Sequence, residues 1–287
     1  MHIPPFWSKQ SYSGIDRKGK ERFYAAWGWS FESQAAAQQI AAERVRRVFE
    51  NPPHYSNDNS YDYLERPLRE EILEEIICGE EQIALITRNR YGSLVLNTAS
   101  VCFVDIDFPQ PTPTGFIDAL RLMFNKQLKE ERKRTAREKT IENVMEWSHK
   151  NPYQKFRLYE TAAGLRLLFT DRLYNPTSEE VAVLLDALGS DKLYRRLTVK
   201  QECFRARLTP KPWRCGCFRP PNRYPWETDQ EEQTYRHWEQ DYNNKSGAYG
   251  ICRLITTIGD LPEDHHIASI IELHDHYTCL DPALPLA

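Results

Sequence analysis

The strongest constraint on the fold is a series of short β-rich runs in the first half of the chain. Residues 82–87 (QIALIT), 93–97 (SLVLN) and 101–108 (VCFVDIDF) are separated only by NRYG and TAS. Runs this short, bounded by turn residues, read as strands joined by tight connections. FRLYET and LRLLFTD, around Ala-Ala-Gly, read as another hairpin, and CFRARL as a further strand. Elsewhere the period is helical. Ser33 can cap a helix running to about Phe49, with Ala37, Ala41, Val45 and Val48 on one face. Pro67 can open a second helix, LREEILEEIICG, ending at Gly79. Helical pattern resumes over residues 114–149, and again after Ser178, where Glu179 and Glu180 suit a first turn and Gly189 a stop. From Gln230 the chain reads as mostly helical, with a strand at YGICRLI, while NPPHYSNDNSYDY reads as a loop. Hairpins with long helices between them predict an α+β layer fold, an antiparallel or mixed sheet flanked by helices. The expected division is a helical N-terminal cap (1–80), a core (81–229) and a mostly helical C-terminal part (230–287) packed on it.

Composition narrows the function classes. With 287 residues, 40% hydrophobic and 28% charged, the chain can bury a core. No apolar run approaches the roughly 20 residues that span a bilayer. The opening MHIPPFWSKQ has no apolar h-region, so neither secretion nor a membrane partner is expected. Seven scattered cysteines suit reduced thiols and a cytoplasmic location. The net charge of −3 conceals a gradient: residues 192–223 hold ten bases against Glu202 alone, a segment of +9, whereas residues 224–287 carry −9. A second basic stretch spans residues 121–139. Charge concentrated in this way predicts an anionic partner, phosphate first, unless the acidic tail packs over the basic segment.

Three motifs carry chemistry. In FVDIDFP, Asp105 and Asp107 lie two apart on a strand and share a face. Adjacent carboxylates repel unless a cation lies between them, and Mg²⁺ or Mn²⁺ in a two-metal site can serve phosphoryl transfer. In YETAAGLRLLFT, Gly164 allows a tight turn that brings Thr161 and Arg166 together as a possible phosphate clamp. In SDKLYRRLTVKQECFRARLTPKPW, Asp191 precedes a strand with Arg205 and Arg207 on one face, then Lys211. Phe204, Trp213, Phe218, Tyr224 and Trp226 interleave with these bases and could stack on nucleic-acid bases.

In this order, over residues 82–212, the motifs resemble those of the archaeo-eukaryotic primase (primase–polymerase) superfamily. Its pattern is hDxD on a strand, an SGxGxH hairpin, then a third Asp followed by a basic strand. The resemblance implies a palm-like, RRM-like core and a divalent-metal-dependent nucleotidyltransferase acting on an NTP or dNTP and on single-stranded or primer-template nucleic acid. It implies Asp105, Asp107 and Asp191 as catalytic metal ligands, with Thr161, Gly164, Arg166, Arg205, Arg207 and Lys211 holding nucleotide phosphates. Two departures stand out: Arg166 replaces the motif's His, and Asp191 follows Gly189 and Ser190 rather than a hydrophobic strand. The first favours an alternative, a primase-like nucleic-acid-binding protein without catalysis. A third reading is a phosphohydrolase of the haloacid dehalogenase type, which would need a late acidic pair on a strand.

Other signals are weaker. GIDRKGK matches the first seven P-loop positions, but Glu21 stands where Ser or Thr should reach Mg²⁺. Cys215 and Cys217, with Cys203 and His237, lack structural-zinc spacing, so zinc is not expected. His265, His266, His274 and His276 cluster near the end and read as a polar helix.

Overall fold

A computed structural model describes residues 1–15, 19–52, 67–260 and 262–287. The fold is α+β. Its strands are β1 (Phe6–Ile15), β2 (Glu21–Ser30), β3 (Glu71–Cys78), β4 (Glu81–Arg88), β5 (Leu94–Thr98), β6 (Phe103–Asp107), β7 (Phe156–Thr161), β8 (Gly164–Phe169), β9 (Phe204–Arg207) and β10 (Cys252–Ile258). Its helices are α1 (Gln34–Glu50), α2 (Phe116–Phe124), α3 (Lys126–Lys150), α4 (Glu179–Ala187), α5 (Lys192–Gln201), α6 (Asp229–Ser246) and α7 (His265–Thr278). The strands make three antiparallel sheets: the β1–β2 hairpin and two four-stranded sheets ordered β10-β7-β8-β6 and β3-β4-β5-β9. One apolar core joins both larger sheets to α3, α4 and α7, through residues such as Ile86, Leu96, Phe103, Leu167, Val144, Leu185 and Ile270.

The N-terminal part differs from the helical cap the sequence predicted. Its first thirty residues are mostly the β1–β2 ribbon, and the expected helix before Gly79 is strand β3. Leu73, Ile76 and Ile77 have spacing that suits a helix, which hides a strand interrupted by two register shifts against β4. Gly79 at φ +65° then turns the chain straight into β4, pairing Cys78 with Glu81. The P-loop-like stretch is the β1–β2 connection; its residues 16–18, and residues 53–66 of the expected loop, lie outside the described residues. The long helical stretch at 114–149 is two helices, broken at Asn125, whose side chain caps α3 by accepting from Leu128 N. The basic residues of α3 are largely a solvent face: Arg132 pairs with Asp118, Lys133 with Glu130 and Arg137 with Glu160. The C-terminal part is not separate from the core, because β10 completes the β7 edge.

Helix α1 lies directly on the ribbon. Ala37 and Ala41 are fully buried, and a Cβ on Gly28 would stand 2.3 Å from the Ala41 nitrogen. Gly28→Ala must therefore push helix from strand, and denaturant unfolding should show a loss of about 1–3 kcal/mol, the usual range for overpacking.

Candidate functional site

Strand β6 is an edge strand whose partner on one side is β8, with Asp105 opposite Arg166 and Asp107 opposite Gly164. The close pairing depends on Gly164, since a Cβ there would lie 2.0 Å from the Ile106 carbonyl. Against the other side of β6 stands the start of α5. Ser190 Oγ donates to the Asp105 carbonyl (3.1 Å) and the Tyr194 hydroxyl to that of Phe103 (2.9 Å). Between them Asp191 caps α5, accepting from the Leu193 and Tyr194 amides through Oδ1 alone. Asp191 thus opens a helix, where the sequence suggested a strand to follow. Burial first, then Asp191 and Asp105, push the Asp107 carboxyl above the ordinary carboxylate range. The three aspartates are therefore electrostatic neighbours.

Arg166 does not face solvent. It is 2% exposed, and its guanidinium forks onto Asp105, with Nε 2.9 Å from Oδ1 and Nη2 3.3 Å from Oδ2. Nη1 donates to the Arg207 carbonyl at 3.0 Å and lies 3.4 Å from His274 Nε2. His274, fully buried on α7, has Nδ1 3.0 Å from Asp275 Oδ1. The partners assign the tautomer: Nδ1–H donates to Asp275, and bare Nε2 accepts from Arg166. Asp275 also accepts from the Tyr159 hydroxyl and from Arg157, both at 2.7 Å. Asp105–Arg166 and Asp275–Arg157 are thus two ion pairs joined through the His274 imidazole. Burial would lower the Arg166 pKa, but Asp105 holds it above that of an ordinary guanidinium. Burial, against the pull of Asp275, pushes the His274 imidazole down to about 4, so it is neutral near pH 7.

Facing the carboxylates are Arg207, at the end of β9, and Lys211 and Arg214 beyond it. Among the described residues none of the three has an ion pair, and the buried Nε of Arg207 has no hydrogen-bond partner. Burial, then the neighbouring Arg166, lowers Arg207 to about 10. Lys211 is lowered by burial and by Arg207 and Arg214, while Asp107 and Asp105 oppose this. Cations crowded in this way without ion pairs repel one another, and an anionic group such as phosphate would relieve that repulsion. The C-terminal part packs on the later half of the basic segment, where Tyr242 donates to the Pro210 carbonyl, Trp238 to that of Phe218, and Asn222 to that of Glu231; among the described residues, though, no ion pair joins residues 192–223 to acids after 223.

The fold therefore brings together Asp105, Asp107, Asp191, Arg166, Arg207 and Lys211. It does not bring in Arg205, whose guanidinium reaches both oxygens of buried Glu70 at 2.8 Å. Thr161 pairs with Gly164 in the hairpin register. Arg214, Asp275, Tyr159 and Arg157 were not singled out from sequence, and His274, read there as part of a polar helix, is instead fully buried. A signal for His274 existed: Ile267, Ile270, His274 and Thr278 are the buried stripe of α7 and have helical spacing. Among the described residues, no three His, Cys, Asp or Glu groups converge as a ready-made metal site. Comparisons with protein-family models, curated proteins and solved structures find no match.

Two outcomes follow from the buried network. Asp105→Ala leaves the Arg166 charge buried and uncompensated, at a cost of about 3–5 kcal/mol. Asp107→Ala relieves repulsion and should change stability by less than about 1 kcal/mol; urea titration of both variants checks the contrast. For His274, the ordinary imidazole value is 6.5 against about 4 when folded. Between these values the unfolded chain holds more protons, so stability falls as pH is lowered through the window, by about 3 kcal/mol. His274→Gln should flatten that slope in denaturation measured from pH 7 to pH 4.

Proposed function

We propose that this chain is a primase-like nucleotidyltransferase that acts on nucleotides and nucleic acid. In this reading Arg207, Lys211 and Arg214 bind the phosphates of an NTP or dNTP beside Asp107 and Asp191. The supporting observation is the juxtaposition of three cations lacking ion pairs with a carboxylate pair whose Asp107 member is driven toward its protonated form. A polyphosphate would relieve the repulsion among the cations, and a divalent ion that among the carboxylates. Mg²⁺ and Mn²⁺ are commonly held by one or two carboxylates together with substrate phosphates. Asp107 and the Oδ2 of Asp191, which takes no part in the cap, fit one ion held in that way. A two-ion centre fits less well, because Asp105 is forked onto Arg166. When bound, the ion would neutralise phosphate charge; the chain's own residues position the phosphates and keep Asp105 from moving.

The Arg166–Asp105 pair favours a second reading, a primase-like fold that binds nucleic acid without catalysis, since the pair occupies a carboxylate that catalysis would use. The phosphohydrolase alternative gains no support, as β7–β10 carry no paired acids.

The test is binding and primer-template incorporation of labelled NTPs and dNTPs with Mn²⁺. Asp107→Asn should lower incorporation by roughly 100-fold, and Lys211→Ala should weaken nucleotide binding by roughly tenfold. Metal-independent binding without incorporation selects the second reading. If the wild-type chain binds neither nucleotide nor nucleic acid, both readings fail.

A further inference from the structure

Helix α2 presents its apolar side to solvent. On its other side Asp118 is forked by Arg132 of α3, at 2.6 and 2.9 Å, and also accepts from the Thr114 amide. Phe116, Leu120, Met123 and Phe124 recur at helical spacing along the outer side, and all but Leu120 are at least 69% exposed. The four amount to on the order of 500 Å² of apolar surface, within the range of the largest patch on an ordinary monomer, which is often functional. The stripe is flanked by bases: Arg121 on α2, then Lys126 and Lys129 just beyond its end. All three are exposed and, among the described residues, have no ion pair.

The opposite combination stands on β3. This strand is the outer member of its sheet, so one of its edges has no strand beside it among the described residues. Leu73 and Ile77 are exposed on it, Ile77 at 61%, among Glu74, Glu75 and, past the turn, Glu80. Among the described residues none of these three carboxylates has an ion pair; Glu75 accepts from Gln82. The two register shifts against β4 protect such an edge from strand addition, which leaves its side chains as the docking element. A standard interface takes about 800 Å² from each partner, a little over half of it apolar. The α2 stripe supplies that apolar share and its bases supply a charged rim. Two α2 stripes laid on each other would set bases against bases, whereas β3 offers them carboxylates around an apolar centre.

We infer that the chain associates with further copies of itself head to tail, with α2 of one copy seated on β3 of the next. The contact joins two different surfaces, so it extends into a ring or a filament rather than closing as a symmetric pair. Its charged rim makes it weaker as salt screens the attraction. Neither surface includes a residue of the carboxylate site, so the inference stands apart from the nucleotidyltransferase reading.

Sedimentation velocity of the full chain tests this, over about 1 to about 100 µM protein and in about 0.05 M and about 0.5 M salt. The expected result is species larger than a dimer that grow with concentration and shrink in the higher salt. Phe116→Ser/Phe124→Ser and Glu74→Lys/Glu75→Lys alter exposed side chains only, and each should weaken association roughly tenfold or more. Lys126→Glu/Lys129→Glu, also at exposed positions, is a second variant on the α2 side with the same expected loss, should the Phe pair fail to fold. Mixed in equal amounts, the Phe and Glu variants should form a pair that grows no further, because one keeps its β3 surface and the other its α2 stripe. Association lost in the α2 variants but kept in the Glu variant assigns the stripe to pairing with another α2 and overturns the inference. A wild type that stays monomeric throughout overturns it as well, and so does a mixture of the two variants that remains monomeric.

Discussion

The buried guanidinium of Arg166 is the constraint on which the site depends. Removing such a charge from water costs several kcal/mol, and it can stay buried only if its donors are met. Two donors reach Asp105 on β6, and a third reaches the Arg207 carbonyl on β9. Because β6 and β8 belong to one sheet and β9 to the other, this one side chain ties the two larger sheets together. His274 extends the tie to α7, and through Asp275 to Tyr159 and Arg157 on β7. The neutral imidazole is suited to that place, since a protonated one would set a second cation beside Arg166.

Engaging Asp105 internally changes the meaning of the charges outside it. Asp107 and Asp191 are left beside three cations that repel one another. The basic segment of residues 192–223 divides accordingly. Its early bases belong to α5, where Arg195 pairs with Asp186. Arg205 is committed to Glu70, and Arg207, Lys211 and Arg214 are the cations that face the carboxylates. Arg219 lies beyond them, 5.5 Å from the Trp213 ring. A net charge of −3 thus coexists with a locally positive face, because the acids after residue 223 pair elsewhere or face solvent.

The sequence made the core hairpins legible because their signals are local. β-branched runs bounded by Gly and Asn, and caps such as Ser33 and Ser178, act within a few residues of themselves. Strand β3 was not legible, because its two bulges break the alternation that marks a strand. Nor was the β1–β2 ribbon, whose mixed polar and aromatic pattern becomes intelligible only when α1 covers one face.

At the site, sequence by itself determined the shared face of Asp105 and Asp107 and the concentration of positive charge after residue 191. Those follow from strand period and composition, whereas Gly164, read as a turn residue, is the first residue of β8 and must be small because the Ile106 carbonyl of β6 lies against it. Only the tertiary structure decided how the charges are used. It turned Arg166 inward as a counter-ion, committed Arg205 to Glu70, made Asp191 a helix cap, and buried His274 from 108 residues away against Arg166. The physical reason is that a charged side chain's role depends on which partners share its dielectric surroundings, and those partners come from strands and helices distant in the chain.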